Sequence, residues 1–250
     1  MPTELHILID KVKAWSFYPP DIRPLYGDSN ETIFFPAGPG MYHKEEGKLS
    51  DKPIMVICNR YTPQLNFLRL HGVRQDWERT TIAWSEVLNT LTQAGIDPLD
   101  CFFTNCHLGV RQTAESRRRN QDAGSWMLDA GYSIPSSYFR DHCRDILRFT
   151  VELQHPRLIL VLGLRAASFI SRLHPMLLAW QNIQTYHAVD KRYQSIIRDV
   201  PLLPGQLTTI VLLLHPVRRK THISTRKDGR AIGYDAENRL LRTVVASCKL

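Results

Sequence analysis

Four short clusters in this sequence combine residue types that can do chemistry: Asn59-Arg60-Tyr61, Asn105-Cys106-His107, Gly163-Leu164-Arg165 and His215-Pro216-Val217-Arg218. An amide such as that of Asn105 both donates and accepts hydrogen bonds, so it can read the edge of a heterocycle. A histidine such as His215 can stabilise charge that develops on a leaving group. Tyr61 offers a stacking face, Arg60 is an obligate cation beside it, and Arg111, Arg218 and Arg219 are permanent cations suited to phosphate. Plainer roles stand beside these. One histidine among ten is commonly structural or exposed, Asn105 can cap a turn, and Tyr61 can be a core aromatic. Gly163 reads as architectural, a small residue that lets a strand turn tightly into a helix.

Each cluster follows an apolar run. Ile54 to Cys58, Cys101 to Thr104, Leu158 to Leu162 and Thr208 to Leu214 read as strands, with a fifth run at Thr32 to Phe35. Between them Trp84, Val87, Leu88 and Leu91 recur at helical spacing, as do Phe139, Cys143, Ile146, Leu147 and Thr150 after a start at Pro135-Ser136-Ser137. Asp235 can cap a last helix whose apolar face is Leu240, Leu241, Val244, Val245 and Cys248. Near-continuous apolar strands alternating with amphipathic helices predict a parallel sheet buried on both faces. Sites in such sheets lie at the carboxyl ends of the strands, where all four clusters fall. No repeat or shift of composition divides the chain. The expectation is one domain over residues 1–250, with an N-terminal helix and a Pro-rich aromatic loop over 1–30 and an α/β core over 31–250.

With 250 residues, 43% hydrophobic and 22% charged, the chain can bury a full core. It has no run of 18 apolar residues, and its opening MPTELHILIDKVK mixes charges into the apolar pattern. Neither a membrane span nor a signal peptide is expected, and an intracellular, cytoplasmic place is. Five cysteines with no CxxC pair argue against a disulfide framework or a structural zinc, and Cys101-x4-Cys106 does not supply four cluster ligands. Buried free thiols, no metal and no cofactor are the expectation. The net charge of +8 is concentrated: residues 107–120 carry +3 and residues 215–230 carry +5. These are either solvated basic loops or a surface that follows phosphates.

Taken together, the strand ends resemble the uracil-DNA glycosylase superfamily over roughly residues 30 to 248. IMVICNRYT (54–62) is similar to its first motif, and CFFTNCHLGVR (101–111) to the strand whose terminal Thr-Asn presents an amide to the base. LILVLGLRAASFI (158–170) is similar to a strand-Leu-Gly-helix element, and LLLHPVRR (212–219) to the His-Pro loop. TIFFPAGPGMYHKEEGK (32–48) also resembles the Gly-x-x-Pro-Gly motif of the iron-sulfur branches, but the later start fits the order of strands and leaves the GPG segment as a flanking loop.

The resemblance implies a three-layer α/β/α sandwich around a four-stranded, mainly parallel sheet. It also implies a monofunctional DNA glycosylase that flips a nucleotide from the duplex and hydrolyses its N-glycosidic bond to leave an abasic site. Asn105 and Arg60 would then contact the base, Tyr61 stack on it, and His215 stabilise the departing base. Pro216 and Val217 would approach the minor groove, with Arg218, Arg219 and Arg111 on DNA. DNA is the only partner implied, with no obligatory protein partner. Arg60 stands where many members carry the Asp or Asn that positions water, which leaves Asn59, Asp76 or Glu78 for that task and makes a modified base, including one of foreign DNA, the expected target rather than uracil. Two other classes remain: a non-catalytic binder of damaged or modified DNA, and an α/β nucleotide hydrolase.

Overall fold

Strands that are apolar along their whole length need cover on both faces. Four of them form the parallel part of a central sheet: β1 (Ile54–Cys58), β2 (Cys101–Asn105), β3 (Leu158–Leu162) and β5 (Gln206–Leu213), with β4 (Ile196–Leu203) antiparallel to β5 at the edge. The order is β2-β1-β3-β5-β4. The computed structural model describes residues 4–15, 18–19, 22–23, 42–43, 48–49, 52–59, 82–108, 110–111 and 137–248. The run at Thr32 to Phe35 lies outside them.

The sheet is therefore α/β, mixed and mostly parallel, with five strands where four were expected. The reason β4 is hard to read is physical. It pairs on one side only, exposes Arg198, Asp199 and Pro201, and breaks register twice, between Ile197 and Val200 and between Val200 and Leu203. Asp199 sits at φ 55° within this stretch. An edge strand tolerates a proline and irregularities that no central strand would, and these features discourage another chain from adding to the edge.

Six helices of six or more residues flank the sheet among the described residues: α1 (Glu4–Lys13), α2 (Ile82–Gln93), α3 (Ser137–Gln154), α4 (Leu164–Ile170), α5 (Tyr186–Lys191) and α6 (Tyr234–Cys248), and a single helical turn runs over Arg219–His222. Helix α3 buries Phe139, Cys143, Ile146, Leu147 and Thr150, the stripe read from its spacing. Helix α6 buries Leu240, Leu241 and Val244, but Asp235, expected as its cap, lies inside the first turn. There its carboxylate still favours the positive end of the helix. Helix α1 docks on α3, with the Lys11 ammonium 4.4 Å from the centre of the Phe149 ring and the Trp15 ring stacked 3.9 Å from that of His142. Helix α6 lies beside α2, where Arg242 Nη2 donates to the Gln93 carbonyl at 3.0 Å. Leu8 and Val12 of α1 join the same core as the sheet strands. Among the described residues no helix is long and apolar enough to cross a membrane.

All five cysteines are free thiols, and Cys101, Cys106 and Cys143 are buried. Burial pushes the Cys143 thiol up to about 12, against a smaller opposing effect from the Leu108 N–H that donates to its sulfur at 3.4 Å. Its thiolate fraction at pH 8 is then on the order of 10⁻⁴. Brief maleimide treatment of the native protein at pH 8, read by peptide mass spectrometry, should leave Cys143 unmodified until denaturant is added. Rapid native labelling would contradict this packing.

Candidate functional site

Strand β1 is followed in sequence by β2 on one side and in space by β3 on the other, so the chain reverses direction between β1 and β3. Such a switch point leaves a crevice at the carboxyl ends of the strands. Pairing shows it directly. The β1–β2 ladder runs to Cys58↔Asn105 and the β3–β5 ladder to Leu162↔Leu213, but the β1–β3 ladder stops one row lower, at Ile57↔Val161. The rim thus has two halves. Their outer strands, β2 and β5, lie three strand spacings apart, about 14 Å.

On the first half, Asn105 is the last residue of β2 rather than a residue beyond it, and it is 7% exposed. The two strand ends are tied together past it. The Cys106 N–H donates to the Cys58 carbonyl at 2.8 Å and the His107 N–H to the Asn59 carbonyl at 3.2 Å. That same Asn59 oxygen lies 2.9 Å from His107 Nδ1. The imidazole leans on Phe169, with ring centres 4.9 Å apart and a 58° tilt, and the Arg144 guanidinium lies 5.2 Å from the Phe169 ring centre. Asn59 is half-buried. Arg60 and Tyr61, and the carboxylates Asp76 and Glu78, lie outside the described residues. Arg111 pairs through its backbone with Ile22, which brings the N-terminal loop alongside the chain leaving this half.

On the second half, Gly163 donates its N–H to the Leu213 carbonyl at 2.9 Å and has φ 97° and ψ 154°. A Cβ built there would meet the Cβ of His215 at 3.0 Å and its Cδ2 at 3.2 Å. Gly163 is thus the seat of His215 as well as the turn into α4. The His215 N–H donates to the Tyr186 hydroxyl at 3.2 Å. Burial raises the Tyr186 phenol, outweighing the lowering by the His215 N–H and the Arg226 charge, so the group stays a neutral hydroxyl. Behind it the buried Arg226 guanidinium lies 5.5 Å from the Tyr186 ring centre, donates to the Leu212 carbonyl at 3.2 Å and pairs with Asp190 at 3.3 Å. Asp190 also accepts from Ser195 Oγ at 2.5 Å and from the Lys227 N–H at 2.9 Å. His215 then leads into a short turn, Pro216–Arg218.

Pro216 of that turn and Arg219, which follows it, do not stand where they were expected. Pro216 is buried, not presented to a groove. Arg219, expected on a flanking phosphate, is 4% exposed. Its guanidinium pairs with Glu237 Oε2 at 3.1 Å, donates to Thr90 Oγ1 and faces the Tyr234 ring at 5.2 Å. Glu237 in turn accepts the Leu214 N–H on Oε1 at 2.6 Å and is wholly buried. The anion that meets Arg219 is the protein's own carboxylate, and it fastens the chain just before His215 to α6. Arg226 is likewise internal, so the outward charge of this segment comes from Arg218, Lys220, Lys227 and Arg230. Val217, 38% exposed, stands with Arg218 at the tip.

Sequence reasoning missed Glu237 and Tyr186, and it named His107 in a strand-end cluster without giving it a role. Glu237 left a signal: it falls on the apolar stripe continued by Leu240, Leu241 and Val244, and a carboxylate on a core face requires a buried partner. Between α2 and the His215 turn lies a cavity of ≈ 10 Å³ lined by Val87, Thr90, Leu214, Pro216 and Arg219, among others. That is space for about one water and not for a base. Among the described residues no three His, Cys, Asp or Glu side chains converge as ligands of a metal. A scan against protein-family models finds no match to this chain, and a search of the curated proteins finds none either.

Proposed function

We propose that this protein is a DNA glycosylase that hydrolyses the N-glycosidic bond of a flipped-out non-standard or modified base and leaves an abasic site. The observation that carries the reading is His215 seated on Gly163 at one half of the switch-point crevice, with Asn105 at the end of the other half. An amide that reads a base edge and an imidazole that stabilises the departing base would then flank one bound nucleotide. The likeness in fold extends further in this reading. The four parallel strands form the middle of a three-layer sandwich with α2 and α6 on one face and α1 and α3 on the other, and β4 is an addition at the edge. Val217 and Arg218 at the loop tip are suited to a base step and a phosphate, a partly apolar wedge beside a cation. No lysine nucleophile is part of this scheme, and an intracellular, DNA-associated place accompanies it.

Arg60 in place of the usual carboxylate or amide favours a target other than uracil, such as a modified base of foreign DNA. The test is alkaline strand cleavage of matched duplexes carrying uracil, modified cytosine or only normal bases. Product is expected on one duplex, and His215→Ala should slow single-turnover product formation about 10²- to 10³-fold while DNA is still bound. Tight, salt-sensitive binding with no product on any duplex would make the protein a binder. Hydrolysis of mononucleotides with little salt dependence would make it a nucleotide hydrolase.

A further inference from the structure

We propose that His107 is the general base that takes the proton from the attacking water, an inference that rests on the glycosylase reading above. Hydrolysis needs such an acceptor. Arg60 cannot serve at neutral pH, and an amide such as Asn59 orients water without accepting its proton. Asp76 and Glu78 lie outside the described residues, and among the described ones the buried carboxylates near His215 are committed elsewhere: Glu237 to Arg219 and the Leu214 N–H, Asp190 to Arg226, Ser195 and the Lys227 N–H. His107 stands two residues beyond Asn105 on the same strand end, and it is half-buried where Asn105 is buried. That difference in depth suits Asn105 to the base and His107 to the sugar nearer the mouth.

The orientation of the ring is set by its partner. A carbonyl oxygen has only lone pairs to offer, so in the 2.9 Å contact with Asn59 the proton must be on Nδ1. The neutral ring is then the Nδ1–H tautomer, and Nε2 is the nitrogen that takes up a proton. Phe169 supports the ring from the side, so its direction is fixed as well as its tautomer. Once Nε2 is protonated, the bond from Nδ1 to the carbonyl becomes charge-assisted and stronger, which stabilises the product of proton transfer. His107 and His215 occupy opposite halves of the rim, an arrangement suited to a proton acceptor for water on one side of a bound sugar and a stabiliser of the leaving base on the other.

In the step itself a water lone pair forms the C1′–O bond as the C1′–N bond breaks. The bonding pair departs with the base, whose charge His215 stabilises. The water proton passes to His107 Nε2 and is later lost to solvent, and the released base takes up a proton from solvent.

His107→Asn separates this role from a structural one, because the Asn amide can keep the hydrogen bond to the Asn59 carbonyl but cannot accept a proton. On the duplex that wild-type protein cleaves, its single-turnover rate should fall about 10²- to 10⁴-fold with affinity for that duplex retained. Added imidazole should restore part of the rate to His107→Ala. Nitrogen-15 spectra of the wild-type protein should show the neutral His107 ring protonated on Nδ1. A wild-type rate in His107→Asn would overturn the inference and leave the glycosylase reading standing, and so would a neutral ring protonated on Nε2. Absence of product from wild-type protein on every duplex would overturn both.

Discussion

Arg219→Ala should lower the unfolding free energy by about 3–5 kcal/mol, the range for leaving one charge of a buried pair without its partner. Glu237, wholly buried, would lose the cation 3.1 Å from Oε2 while still holding the Leu214 N–H on Oε1. The loss would therefore fall on the junction of α6, α2 and the strand that ends before His215. Replacing both members by apolar side chains of similar volume, as in Arg219→Met with Glu237→Leu, should recover much of it, although the Leu214 N–H would then lack its acceptor. Urea titration gives the stability, and the salt dependence of DNA binding gives the contrast. If Arg219 instead neutralised a phosphate, its removal would make the slope shallower by about one unit with stability little changed, and that pair of results would return Arg219 to the DNA surface.

Gly163→Ala should disable the site even where the protein still folds. At φ 97° and ψ 154° a side chain is strained whatever surrounds it, at a cost of roughly 1–3 kcal/mol. The added methyl would also press on His215 Cβ at 3.0 Å, while the Gly163 N–H bond to Leu213 keeps the backbone from yielding. The imidazole has to give way, and a displacement near 1 Å at a reacting group can cost on the order of 10²-fold in rate. Gly205→Ala supplies the control. It has a similar φ of 74° but nothing within 4 Å of the added atom, so it should lose stability and keep its rate. Thermal denaturation and single-turnover cleavage on the same preparations separate the two effects. Equal rates in the two variants would mean that Gly163 only shapes a turn.

How far the sequence could be read follows from where each signal resides. Strands β1, β2, β3 and β5 announced themselves because burial on both faces demands continuous apolar residues, and α3 did so because one buried stripe recurs at helical spacing. Strand β4 did not, since an edge strand with Arg198, Asp199 and Pro201 has no such demand to meet. The positions of Asn105 and His215 at strand ends were legible, but their supports were not. Arg219 was misplaced because a guanidinium has the same appearance whether it meets a phosphate or Glu237, and only the fold brings that carboxylate to it. His107 was named in its cluster but given no role for a related reason. Its orientation comes from the carbonyl of Asn59, and a backbone group just past the end of a neighbouring strand leaves no trace in residue types.

The early end of the β1–β3 ladder has a consequence for how such a rim can change over generations. Above the row Ile57↔Val161, the Asn105–His107 half and the Gly163–His215 half are each braced within themselves, the first by the Asn59 and Cys58 carbonyls and the second by Leu213 and Tyr186. Above the sheet the halves touch where His107 leans on Phe169 of α4, so a side chain exchanged away from that contact is felt by the other half chiefly through the sheet below, whose packed core resists displacement. Residues that decide what is recognised can therefore diverge while the seat of His215 stays as it is. Innovation and constancy are divided between two halves of one rim.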